Sequence, residues 1–184
     1  MPYTPRRKTI HVSIGVIQNN AGLFFISCRP PKSSHSGLWE FPGGKRKENE
    51  RPEQTLKREL NEEIGITVRS AKRLGTIDLN ERLISLDIFH IIDYEGDCHG
   101  AEQQDFKWVK PSMLYMLPFP YAHSAIMNLL KKHNLINEDE GLSLSQLRDE
   151  LIEKDILKSN KIKAAFTTID RFYFMPNESL NTVY

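Results

Sequence analysis

Over residues 44–66 the chain fixes glycines, carboxylates and an arginine in a single frame, Gly44-x5-Glu50-x7-Arg58-Glu59-Leu60-x-Glu62-Glu63-x-Gly65-Ile66. On a helix turning about 100° per residue, Glu59, Glu62 and Glu63 stand at i, i+3 and i+4, within about a third of the circumference. Leu56, Leu60 and Ile64 recur every fourth residue and form an apolar stripe beside the acidic one. A segment divided in this way has few options: the stripe needs a sheet to cover it, and the carboxylates must stay open. Pro52 suits the first helical turn and Gly65 a left-handed C-cap, so the frame carries its own start and stop.

Three carboxylates at that spacing repel one another unless a cation lies between them. Oxygen donors favour a hard divalent ion, Mg2+ or Mn2+, which turns the repulsion into coordination. A trio of glutamates alone is usually a solvated helix face. Here every fixed position is filled and Phe41-Pro42-Gly43-Gly44 precedes the frame, which points to metal-assisted hydrolysis of a diphosphate rather than to surface charge. Arg58, next to the acidic face, is placed to orient Glu59.

The remaining composition limits the partners. Net charge is +1, short of the basic balance of a protein built to hold polymeric nucleic acid, so a mononucleotide fits better. Only Cys28 and Cys98 occur, without the partners of a zinc site or a disulfide scaffold, which suits a reducing cytoplasm. No apolar run reaches the length of a signal peptide or of a membrane span. With 184 residues, of which 39% are hydrophobic, one domain plus an appendage is expected.

Along the chain, residues 11–17 and 23–29 read as strands joined by a hairpin turn at Gln18-Asn19-Asn20-Ala21-Gly22. Residues 30–37 read as a loop. Strands follow at 68–74, 82–94 and 106–109, with Ile84, Leu86, Ile88 and His90 alternating against Ser85, Asp87 and Phe89 in the long one. An amphipathic helix is predicted over 121–133, with Ala125, Ile126, Leu129 and Leu130 on its apolar face. The sum is an α/β fold of helices around a mixed sheet. A polar stretch at 136–142 reads as a linker between a domain at 1–135 and two short helices within 143–184.

The frame at 44–66 matches the Nudix box without substitution, and Leu38-Trp39-Glu40-Phe41-Pro42-Gly43-Gly44-Lys45 resembles the MutT subgroup, which hydrolyses oxidised guanine nucleoside triphosphates. The resemblance runs from about residue 11 to 133. It implies the Nudix α/β/α sandwich with a mixed sheet, and pyrophosphohydrolysis of 8-oxo-dGTP by attack of water on the β-phosphorus. It implies Glu59, Glu62, Glu63, the Gly43 carbonyl and Glu102 as ligands of Mg2+ or Mn2+, with Glu102 placed six residues before Trp108. Glu59 is the first candidate for general base, held by Arg58, with Glu102 as the alternative. Glu50 is expected to support the metal shell. Arg29 and Arg82 fall where the MutT pattern has arginines that contact the nucleotide; Lys45, directly after the double glycine, is a candidate for phosphate neutralisation, and Phe41 either packs on the base or fills the core.

One departure bears on selectivity. In Phe119-Pro120-Tyr121-Ala122-His123 the MutT pattern has asparagine at the last position. A histidine supplies a donor and an acceptor in one tautomer, in a different geometry, which keeps open a pyrophosphatase for another nucleoside diphosphate derivative or a non-catalytic nucleotide-binding module. Beyond the linker, Leu147-Arg148-Asp149-Glu150-Leu151, Ala164-Ala165-Phe166, Arg171-Phe172-Tyr173 and Met175-Pro176 resemble the opening helices of protein-L-isoaspartate O-methyltransferases, without that family's cofactor-binding turn. A truncated fusion, a dimer contact and a helical cover for the hydrolase domain are the alternatives there.

Overall fold

The computed structural model describes residues 8–30 and 36–137. In chain order they form β1 (Ile10–Ile17), β2 (Phe24–Cys28), β3 (Trp39–Glu40), β4 (Gly43–Lys45), helix α1 (Pro52–Ile64), β5 (Thr67–Leu79), β6 (Ile84–Glu95), β7 (Phe106–Val109) and helix α2 (His123–Lys132). Short 3-10 turns occupy Asn80–Arg82 and Pro111–Tyr115. The strands divide into a four-stranded sheet, β4-β1-β6-β5, and a three-stranded sheet, β3-β2-β7. β1 and β6 run parallel from Ile10 opposite Ile84 to Ile17 opposite Ile91, and their other neighbours are antiparallel, which makes the larger sheet mixed.

Each face of that sheet carries a helix. On one side Leu56, Leu60 and Ile64 of α1 are buried with Ile17, Phe25, Phe89 and Ile91. On the other, Ile126, Met127 and Leu130 of α2 pack with Leu86, Ile88, Phe41 and Phe119. β6 is therefore covered on both faces, and its alternation separates two cores rather than core from solvent. Its buried polar residues have partners: Ser85 Oγ donates to Asp78 Oδ1 at 2.6 Å, and Asp87 accepts from Thr76 Oγ1 at 3.0 Å and from the Arg73 guanidinium.

Three sequence expectations change. The turn at 18–22 forms, with Asn19 Oδ1 accepting from the N–H groups of Ala21 and Leu23. β1 and β2 nevertheless diverge into different sheets after a single bridge, Gln18 to Phe24, so they are not a paired hairpin. β5 runs to Leu79, well past residue 74. Gly75 lies where a Cβ would come 3.1 Å from Leu129 Cδ2, which lets α2 settle on the strand. Met127 joins the buried face of α2, and the expected Ala125 is only partly covered. At the end of the described chain Ile136, the first residue of the expected linker, is 3% exposed and packs in the α2-side core. The expected helices within 143–184, with their dimer or methyltransferase associations, lie outside the described residues.

Helix α1 is fixed at both ends. Gln54 Oε1 accepts from the Arg51 N–H at 2.8 Å, Ser13 Oγ of β1 donates to the Pro52 carbonyl at 2.9 Å, and Gly65 closes the helix at φ 73°. Leu60, fully buried, reaches the sheet where Gly15 has no side chain. Leu60→Ala is expected to destabilise the protein by about 2–5 kcal/mol, read as a lower urea midpoint with unchanged slope.

Candidate active site

The acidic face of α1 is organised by a cation from its own sequence. Arg58 Nε donates to Glu50 Oε1 at 2.6 Å and Nη2 to Glu50 Oε2 at 2.9 Å, while Nη1 donates to Glu59 Oε1 at 2.7 Å and Glu62 Oε2 at 3.0 Å. Nη2 also reaches the Lys45 carbonyl at 3.2 Å. Glu50 further accepts from Thr55 Oγ1 and the Lys47 N–H. The Arg58 hydrogen bonds lead in holding its carboxyl down at about 2, and in return the guanidinium is held more firmly charged. Glu50 thus positions Arg58, and Arg58 positions Glu59.

β4 supplies the opposite wall. Gly43 adopts φ 150°, and a Cβ there would lie 2.1 Å from the Ser13 carbonyl oxygen, so only glycine fits. At Gly44 a Cβ would lie 2.3 Å from Glu59 Cδ, because the Glu59 carboxylate rests directly on this backbone. The Gly43 N–H donates to Glu63 Oε2 at 3.0 Å. Burial pushes the Glu63 carboxyl up to about 8, with the like charges of Glu40, Glu59 and Glu102 acting in the same direction and the Gly43 N–H opposing them.

Glu63 and Glu102 line a cavity of about 490 Å³ together with Gly43, Gly44, Lys45, Arg29 and Glu40. Its apolar lining comes from Ile14, Leu86, Phe41, Phe119 and Ile126, in the space between the sheet and α2. Such a volume, with charged groups on one part of its wall and aliphatic and aromatic groups on another, suits a small ligand with a phosphate tail and a flat apolar head. Arg29 Nη1 is 2.5 Å from Glu40 Oε2. Burial raises the Glu40 carboxyl, with Arg29 pulling the other way. Glu40 was not among the residues singled out from sequence; its signal is the two-residue strand β3, which aims it at Arg29.

Phe41 is buried and fills the core, meeting Phe24 edge-on at 6.3 Å, and it also lines the cavity. Arg82 lies in the 3-10 turn before β6 rather than in the strand, with its guanidinium 4.0 Å from the centre of the Tyr121 ring, a cavity residue. His123 opens α2 and stacks on Phe119 at 3.9 Å. Its Nε2 faces the Leu114 carbonyl at 2.7 Å, so this nitrogen carries the proton and donates it there. Nδ1 is buried without a hydrogen-bond partner. Desolvation lowers the ring's pKa to about 4, which keeps it neutral. The donor half of the expected donor–acceptor pair is therefore spent inside the protein.

Glu59, Glu62 and Glu63 share one side of α1, but their carboxylates are drawn apart: the first two toward Arg58, and Glu63 toward Gly43. Among the described residues no three acidic, histidine or cysteine side chains already form a cation cage. The donor set still fits a hard dication. It consists of oxygens alone, and the half-buried Glu63 faces three further carboxylates whose charges oppose its ionisation.

A Nudix domain profile matches residues 13–129, and the chain belongs to that family. An 8-oxo-dGTP diphosphatase of Proteus vulgaris is 44% identical over 93 residues, covering 50% of this chain and 83% of the relative. A CTP pyrophosphohydrolase of Escherichia coli is 33% identical over 117 residues, covering 62% and 86%. A solved MutT structure from work on Aliivibrio salmonicida and Vibrio cholerae superposes with a TM-score of 0.62 at 36% identity, over 68% of this chain and 99% of that one. The chain is a MutT-like nucleotide hydrolase, of a family that works with divalent cations.

Because the folded Glu63 pKa of about 8 lies above the ordinary 4.5, the protonated carboxyl stabilises the metal-free fold at low pH, and that contribution is lost as pH rises through about 8. The metal-free melting temperature is expected to fall between about pH 5 and 9. Added Mg2+ should raise it more at pH 9 than at pH 6, and Glu63→Gln should flatten both trends in a thermal-shift titration.

Proposed function

We propose that this protein hydrolyses 8-oxo-dGTP, and more slowly dGTP, to the nucleoside monophosphate and pyrophosphate, and so removes a mutagenic precursor from the nucleotide pool. The observation that carries the reading is the joining of the α1 carboxylates, through Gly43 and Glu63, to a cavity whose other lining is apolar and aromatic. The base enters between the sheet and α2, against Phe41 and Phe119. Arg29, held by Glu40, and Lys45 face the triphosphate.

Glu59 takes a proton from the attacking water as its oxygen bonds to the β-phosphorus, and the bond from that phosphorus to the α–β bridging oxygen breaks. Arg58 holds the Glu59 carboxylate in place through its 2.7 Å hydrogen bond. Glu59, Glu62, Glu63, Glu102 and the Gly43 carbonyl are the groups that would hold Mg2+ or Mn2+, whose charge neutralises the phosphate oxygens. A cytoplasmic setting accords with this substrate and with the free thiols of Cys28 and Cys98.

The second reading is pyrophosphohydrolysis of an unoxidised nucleoside triphosphate such as CTP. It draws on His123, whose N–H is committed to Leu114 and does not serve a purine edge. A panel of 8-oxo-dGTP, dGTP, CTP and dCTP with Mg2+ separates the two. The first reading expects kcat/KM for 8-oxo-dGTP at least ~10-fold above the others; a cytidine nucleotide ranking first would overturn it in favour of the second. Glu59→Gln is expected to lower kcat ~100-fold or more on the preferred substrate. Retained nucleotide binding with no turnover by the wild-type protein would instead indicate a binding module.

A further inference from the structure

The loop between β6 and β7 carries Glu102 to the cavity, and one neighbouring side chain ties it to α1. The Gln104 amide acts at both ends: Nε2 donates to the Glu63 carbonyl at 2.8 Å, and Oε1 accepts from the Glu102 N–H at 2.9 Å. The same Glu63 carbonyl accepts from the Ala101 N–H at 2.9 Å, and the Ile64 carbonyl accepts from the His99 N–H at 3.2 Å. The last carbonyls of α1, which have no partners within a helix, are thus supplied by this loop.

The loop folds back tightly to achieve this. A Cβ on Gly100 would lie 2.1 Å from the Gln104 carbonyl oxygen, and Gln103, between the two linked residues, adopts φ 65°. A non-glycine residue in that conformation persists where its surroundings hold it. Bridging a backbone carbonyl and a backbone N–H requires a side chain that both donates and accepts. Glutamate lacks the donor, lysine the acceptor, leucine both; asparagine has the amide on a shorter stem.

We propose that Gln104 is a positioning residue that sets Glu102 against Glu63, joining the loop carboxylate and the helix carboxylate into one cation-binding unit. The proposal rests on the assignment of those two carboxylates above, and not on which nucleotide is hydrolysed.

The test uses the full-length chain and two readouts. Mn2+ alone is titrated without nucleotide by electron paramagnetic resonance, and kcat and KM are measured on whichever nucleotide the wild-type protein turns over fastest. Gln104→Leu is expected to weaken Mn2+ binding and to lower kcat, each by ~10-fold, with KM changed less than about twofold. Gln104→Asn should show the same losses, and it carries the test if the leucine variant does not fold. In a Glu102→Gln background the Gln104→Leu change should add less than about twofold to either loss, because its effect runs through Glu102. Wild-type Mn2+ affinity and kcat in both Gln104 variants would overturn the proposal. So would losses that multiply in the double variant, the mark of independent structural damage. A wild-type protein that prefers another nucleotide to 8-oxo-dGTP overturns the substrate reading alone and leaves the Mn2+ titration as the test of Gln104.

Discussion

A single guanidinium holds together what electrostatics would drive apart. Glu50, Glu59 and Glu62 all bond Arg58, and the adjoining carbonyl of Lys45 bonds it too. Without that cation, α1 would present a row of like charges beside a buried apolar stripe, with no shared partner to draw Glu50, Glu59 and Glu62 together. With it, Glu50 at the foot of the helix and Glu59 on its open face become parts of one rigid cluster, and the cluster is bound to β4. The cost of crowding carboxylates is therefore met mostly by local ion pairs. Glu63 stands outside that cluster: the Gly43 N–H favours its charge, while partial burial and the neighbouring carboxylates oppose it.

This division gives the site two kinds of carboxylate. Those on Arg58 are held in place by its hydrogen bonds before any ligand arrives, and Glu50 among them is held well below the usual carboxylate range. Glu63, between helix, strand and loop, is drawn toward the protonated form until a cation or a change of pH alters the balance. The fold supplies both environments from consecutive turns of one helix because one side faces Arg58 and the other faces Gly43 and the loop bearing Glu102. On the far side of the sheet the same β1–β6 pair supplies Ile14 and Leu86 to the cavity, so one parallel ladder supports the charged and the apolar lining alike.

The parts legible in the sequence were those whose causes are local. The bounds of α1 follow from Pro52, Gly65 and a four-residue apolar repeat, and the pairing of Arg58 with Glu59 follows from adjacency on one helix. The division into two sheets was not legible, since the turn chemistry at 18–22 is the same whether the flanking strands pair or diverge. The far half of β5 escaped notice because it is an edge with exposed residues and a glycine, and its register breaks several times against β6. Glu40 and the orientation of His123 depend on partners, Arg29 and Leu114, that only the folded chain brings near. For His123 the residue type suggested two hydrogen-bonding faces, and packing against Phe119 and Leu114 removed one of them.

Ile136 seats the end of the described chain in the same core that contains Phe41 and Phe119. The segment after α2 is thereby held to the core behind the aromatic wall of the cavity. A change that loosens Ile136 would be felt first at Phe41 and Phe119, with the sheet standing between it and the apolar face of α1.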